Sequence, residues 1–358
     1  MSIDFDKKRW DPVRQNYRQW WNGELKRPLL HLTVGGRDPG RPEPALPIRW
    51  FTSSYEMSIA PAAIVDRWDY ELSHQHYLGD AFPSIWPNFG AGVAAAFLGA
   101  RLEPAPDTAW FHPRDDLPIP KIEFRYDVRN AWLARVRDMC RAAGERWEGL
   151  VQVGMTDIGG TLDILSAFRP GEKLLLDLYD YPDDVKRLTW DIHALWWRYY
   201  DELSQILRRT NRGCTAWTPI FSDTPYYMLQ CDFAYMIGPE MFDEFVKPEL
   251  AASCKRLDHA FYHLDGPSQL PHLDSLLQIP ELKGIQWVPG AGRPDVTHWP
   301  EVYRKIRNAG KLIQIWGDVT TLDALAGQLG SAEGSILIGS ANTIEDAQTA
   351  LKKYGCLD

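Results

Sequence analysis

The chain has 358 residues, of which 45% are hydrophobic and 24% charged, which excludes a disordered polymer and a mini-protein that depends on staples. Its 48 acidic and 39 basic side chains leave a net charge of −9 without basic blocks, so neither nucleic acid nor an anionic membrane is an expected partner. There is no apolar run long enough to span a membrane, the opening MSIDFDKKR has no signal-like stretch, and the five cysteines contain no CxxC; a reduced, cytoplasmic protein is expected.

Residues 1–28 read as an N-terminal helical extension, with Trp10, Val13, Tyr17, Trp20 and Trp21 at helical spacing to cap one end of the molecule. Strand-length apolar runs follow at 29–34, 84–89, 150–154, 214–220, 260–263, 284–288, 312–315 and 335–338. Pro83 and Pro87 interrupt the second, which makes it the weakest strand signal. Between the first two strands, 35–47 is rich in Gly and Pro and cannot be regular structure. Pro182 opens a long helix to about residue 209, and Pro239 opens another with acids near its positive end. The last four strands start 23 to 28 residues apart, the length of a strand plus a crossover helix. These elements predict a single α/β domain, a (β/α)8 TIM barrel spanning 1–358.

In such a barrel the residues just after each strand converge on one mouth. Asp157, Asp223, Asp265 and Asp318 each follow a predicted strand, and more acids gather there than solubility requires. His263 and Asp265 are two apart on a strand and therefore point to one side. That pair suits two uses: ligation of zinc or another divalent metal, or acid–base chemistry in which Asp265 orients the imidazole. Of the 16 Trp, Trp217, Trp287 and Trp316 lie near strand ends, where indole faces grip flat ligands.

The segment QCDFAYMIGPEMFDEFVKPEL at 230–250 resembles the signature of the uroporphyrinogen decarboxylase superfamily, in which a loop runs into SPE-x-F-x-EF-x-x-P. HLDG at 263–266, IQIWGDV at 313–319 and LIGSANTIEDA at 337–347 are similar to later parts of that family, and the stretch from PGEKL at 170 to YPDDVKRL at 181–188 resembles its middle. The likeness covers roughly residues 145–355 and implies the same barrel.

The resemblance divides between two branches. In corrinoid-linked methyltransferases one His and two Cys hold zinc; here those positions read His263, Asp265 and, near the last strand, Ser340, an O/N set that favours oxygen-bearing substrates. The porphyrinogen decarboxylases have an arginine-rich loop and a pyrrole-binding Asp, for which Arg37 and Asp80 are the counterparts. GGRDPGR at 35–41 departs from that branch's RQAGR, its loop serine falls on Asp232 and its late histidine near Ser340, so haem-pathway decarboxylation is not expected.

The leading expectation is an enzyme acting on a small oxygenated molecule in a Trp-lined mouth, by methyl transfer. His263, Asp265, Asp232 and Asp157 form its catalytic set, and Arg37, Asp80, Trp217, Asp223, Trp287, Trp316, Asp318 and Ser340 bind substrate. A divalent metal such as zinc, a corrinoid carried by a partner protein and a homodimer are what the resemblance implies. The alternatives are a cofactor-free decarboxylase or lyase in which Arg37 holds a carboxylate, a carbohydrate-active enzyme, and a non-catalytic small-molecule sensor.

Overall fold

In the computed structural model, which describes residues 3–357, eleven strands alternate with thirteen α-helices. The strands are β1 Leu29–Val34, β2 His76–Gly79, β3 Ser84–Ile85, β4 Arg101–Pro104, β5 Ala109–His112, β6 Gln152–Val153, β7 Tyr226–Gln230, β8 His259–Asp265, β9 Leu282–Val288, β10 Leu312–Gly317 and β11 Ser335–Ser340. The central sheet has the order β2-β1-β11-β10-β9-β8-β7 and is parallel except where β2 runs antiparallel to β1. A second ladder pairs β3 with β6 in parallel, and β4 with β5 forms an antiparallel hairpin. The fold is thus mixed α/β around a mostly parallel sheet. The helices cover it, as parallel strands buried on both faces require.

The expected strand at 214–220 is absent. The chain there makes only the isolated bridge Cys214↔Ser222, and a tight turn lets Ile220 N donate to Thr218 O at 2.8 Å. Pro219 removes a ladder donor, and the strand forms instead at Tyr226–Gln230, which is buried throughout. The second expected strand shortens to two residues between its prolines.

The N-terminal helix Trp10–Trp21 packs its aromatic stripe on Phe82, Phe221 and Phe261. Two of its indoles find acceptors far along the chain: Trp10 Nε1 donates to Leu150 O at 3.3 Å and Trp21 Nε1 to Phe221 O at 2.9 Å. One buried apolar cluster extends from Ile3 to Leu351. No helix among the described residues is long and apolar enough to cross a membrane.

Gly284 lies on β9 beneath the ring of Phe261, and a Cβ there would stand 2.1 Å from Phe261 Cζ. That ring is fully buried against Trp20, so it has nowhere to retreat. Gly284→Ala is expected to destabilise the chain by about 1–3 kcal/mol through overpacking. A urea midpoint equal to that of the parent would refute the close approach.

Candidate functional site

Four polar residues cross the parallel sheet in one register row: Gln230 on β7 pairs with His263 on β8, His263 with Gln286 on β9, and Gln286 with Gln314 on β10. Polar side chains so deeply enclosed must find partners. Gln286 Nε2 donates to Gln314 Oε1, which leaves Gln286 Oε1 as acceptor for His263 Nδ1. The proton of a neutral His263 is therefore on Nδ1, and the Nε2 lone pair faces outward. It points toward Asp265 Oδ2, 3.9 Å away.

Asp265 ends β8 two residues after His263, on the same side of the strand. Asp232 opens the turn Asp232–Met236 that follows β7. One ligand atom from each of Asp232, His263 and Asp265 lies within 4.8 Å of the other two. A further acid holds this arrangement in place. Asp163, in the first turn of the helix Thr161–Phe168, accepts from Asp232 N at 3.0 Å and Phe233 N at 2.7 Å. Asp157, buried after β6, accepts from Gln230 Nε2 at 3.3 Å and from Gly92 N at 3.4 Å.

Among the described residues no Lys or Arg pairs with Asp157, Asp163, Asp232 or Asp265. Burial, and then the charge of Asp232, pushes the Asp157 carboxyl up to about 7. Enclosure and the same Asp232 charge raise Asp163. Asp232 keeps an edge in solvent, yet desolvation and the facing Asp265 raise it too. His263 moves the other way, because burial outweighs its bond to Gln286 and the attraction of Asp265 and Asp163. The site is a neutral imidazole lone pair beside Asp157, Asp163 and Asp232, whose ionised forms are disfavoured. A proton or a cation placed between them relieves that repulsion.

Beside this cluster is a cavity of about 590 Å3, walled by Trp50, Trp68, Trp86, Trp217 and Trp316. Trp217 forms the shared wall: its ring meets His263 edge-on at 5.2 Å and 87°. The irregular stretch after β1 supplies Ile48, Arg49 and Trp50 to the rim.

The structure thus brings together His263, Asp265, Asp232 and Asp157, with Trp217 and Trp316 in the neighbouring cavity. Other expected site residues lie elsewhere. Asp223 precedes β7 instead of following a strand, and it pairs with Arg14 and Arg18 of the N-terminal helix. Asp80 is buried at the amino end of β1, where it takes two bonds from Arg27, one from Asn16 and one from Leu30 N. Arg37 donates to Ser73 O at 2.9 Å and lies 3.9 Å from Asp4, outside the cavity lining. Trp287 follows the inward Gln286, so alternation turns it outward onto Trp299. Asp318 caps the helix Val319–Leu329 through Thr321 N and borders an open depression that shares Trp316 with the cavity. Ser340 ends β11 exposed, opposite Thr33, and is not one of the clustered ligand residues.

Sequence reasoning missed Asp163, Gln286 and Gln314. Asp163 carries the signal of an acid at a helix start and nothing more, and the glutamines acquire meaning only from strand register. Comparison with protein-family models and with curated proteins finds no match for the chain.

Asp157 makes the cost of this arrangement measurable. Its folded value near 7 lies above the ordinary carboxyl value of about 4, so the folded state keeps a proton that the unfolded chain releases, and stability falls as pH rises between them. Asparagine does not ionise. Asp157→Asn is expected to stabilise the protein by on the order of 2 kcal/mol at about pH 8 and by less than half of that at about pH 5, read in urea melts. An equal gain at both values would show that Asp157 bears no ionisation penalty.

Proposed function

We propose that the chain is a metal-assisted enzyme whose eight parallel strands close into a (β/α)8 barrel of the uroporphyrinogen decarboxylase type, and that it transfers a small group, a methyl, from an oxygenated organic substrate. Closure is supported by two bonds between the segment after β6 and the chain around β7: Met155 N to Thr215 O at 2.9 Å, and Ile158 N to Tyr227 Oη at 2.7 Å. The resemblance at 230–250 and 263–266 is in keeping with it.

The observation that carries the reading is a single one. A ring nitrogen of His263 and two carboxylate oxygens stand within 4.8 Å of each other, and Gln286 takes up the other ring nitrogen. One nitrogen and two oxygens, without a thiolate, suit a borderline or hard divalent ion. Asp232, His263 and Asp265 would hold it, and when bound it would supply Lewis-acid polarisation of a substrate oxygen.

The chain's own groups do the rest. Gln286 keeps the proton on Nδ1 and so keeps Nε2 available, the outer-shell role that fixes a ligating imidazole. Asp163 clamps the backbone that presents Asp232. Asp157, near 7, is poised to give or accept a proton at neutral pH. The Trp walls exclude water from the reacting molecule. The methyltransferase branch that shares His263 points to a corrinoid protein as the acceptor's carrier and to a homodimer.

A second reading, decarboxylation or another lyase reaction, is favoured by Asp157 alone: a carboxyl still protonated near neutrality is the acid that quenches a carbanion. Arg37 cannot serve there as the carboxylate anchor, since its guanidinium is bound to Ser73 O.

Calorimetric titration with zinc, manganese and cobalt, with elemental analysis of the purified chain, tests the metal. One ion per chain is expected. His263→Ala and Asp265→Ala should lose it, while Gln286→Leu should keep the fold and weaken binding by about 10–100-fold, the usual effect of removing a ligand's supporting partner. A parent chain that neither carries nor titrates a divalent ion ends the proposal, and demethylation that proceeds without any cobalamin carrier removes the corrinoid part.

A further inference from the structure

The cavity beside the metal donors carries information about its occupant that the donors do not. Trp50, Trp68, Trp86 and Trp316 make no ring–ring contact among the described residues; Trp68 is packed in the core, while Trp50, Trp86 and Trp316 keep exposed indole surface at the cavity. Indole faces hold flat rings by stacking. Two almost fully buried polar side chains also line the cavity: Thr52, 2% exposed, and Asn88, 6% exposed. Asn88 Oδ1 accepts from Gly90 N at 3.1 Å, and among the described residues neither its Nδ2 nor Thr52 Oγ1 makes a hydrogen bond. Donors at a cavity wall without a protein partner bond to a ligand or to water.

Charge decides between the remaining classes. Glu71 is the acid in the lining, and its carboxylate is held by Arg67, which Glu43 shares. Arg49, at the rim, forms no ion pair among the described residues, and its backbone N is fixed by donation to Tyr55 Oη at 2.9 Å. Arg49 is therefore the charge in the lining that is left for a ligand to pair. A sugar needs many paired polar contacts around its ring, and these walls offer few; a quaternary ammonium needs a free negative group, and the acid of this lining is already held by Arg67.

We infer that the cavity binds a planar aromatic anion, with its ring between the indoles, an oxygen substituent on Thr52 and Asn88, and its carboxylate on Arg49. The inference rests on the reading of this end of the sheet as a substrate site, and it names the substrate class. A volume of about 590 Å3 accommodates a one- or two-ring acid. Such an occupant lies one side chain from His263, with Trp217 between them.

The test is binding of 2-naphthoate to the full chain, followed by calorimetry and Trp fluorescence, beside 2-naphthamide, benzyltrimethylammonium and methyl glucoside. Naphthoate is expected to bind at least tenfold more tightly than the amide. Arg49→Gln should erase that difference while the amide's affinity stays within twofold, and Trp86→Ala should weaken both ring compounds. Tighter binding of the ammonium ion or the glucoside, equal binding of acid and amide, or no binding of naphthoate overturns the inference. The same titration on His263→Ala separates it from the proposed chemistry. Naphthoate binding that survives there upholds the cavity even where the metal titration fails, and metal binding without naphthoate binding rejects the cavity alone.

Discussion

An imidazole lone pair aimed at two carboxylates is electrostatically unfinished, and the arrangement of the rest of this molecule follows from keeping it so. His263 would escape the conflict by rotating or by taking a proton on Nε2. The bond from Nδ1 to Gln286 stops the ring from turning, and burial opposes the charge that protonation would bring. Gln314 in turn prevents Gln286 from flipping its amide, because the flipped amide would set its oxygen against Gln314 Oε1, acceptor to acceptor. Three strands in register thus fix one ring nitrogen. The arrangement is rigid because the row is part of the sheet ladder and not of a loop.

The two ends of the parallel sheet treat acids in opposite ways. At the amino end Asp80 receives a bidentate arginine, an amide and a backbone N–H, and Asp223 receives two arginines. Those carboxylates are matched charge for charge and tie the N-terminal helix to the body of the fold. At the carboxyl end Asp157, Asp163, Asp232 and Asp265 have only neutral donors and each other. Burying acids without counter-charges destabilises a fold. Native chains tolerate such a penalty where a ligand or a proton is to be handled, and the matched end offsets part of it.

The site was half legible in the sequence, and the division has a physical cause. His263 and Asp265 could be read because period-two alternation is a local property, and Asp157 because it follows a strand directly. The same alternation should have turned Trp287 away, since its neighbour Gln286 faces inward, but the inward residue cannot be chosen without knowing what lies on either face. Asp223 was misplaced through one strand: the buried Tyr226–Gln230 run was not read as a strand, and shifting the strand past Asp223 moved that acid to the other end of the sheet. The Gln286–Gln314 row was illegible in principle. Its members are 28 residues apart and meet only through ladder register.

The irregular segment between β1 and the helix Pro61–Ser73 shows how a loop can be an accurate part of a site. A stretch rich in Gly and Pro buries little of itself and has no ladder to hold it. Here Tyr55, 4% exposed, anchors it from within: its hydroxyl donates to Pro47 O and accepts from Arg49 N, both at 2.9 Å. Thr52 N is tied to Asn88 O, which joins the loop to the segment after β3. Arg49 and Trp50 therefore leave the surface between two fixed points, and the exposed rim inherits the position of a buried phenol. Deeper in the cavity, Trp217 and Trp316 come from segments near β7 and β10, so the walls draw on distant parts of the chain. The carboxyl ends of the parallel strands are where these segments meet, and the same end of the sheet holds the acids that pair with no Lys or Arg among the described residues.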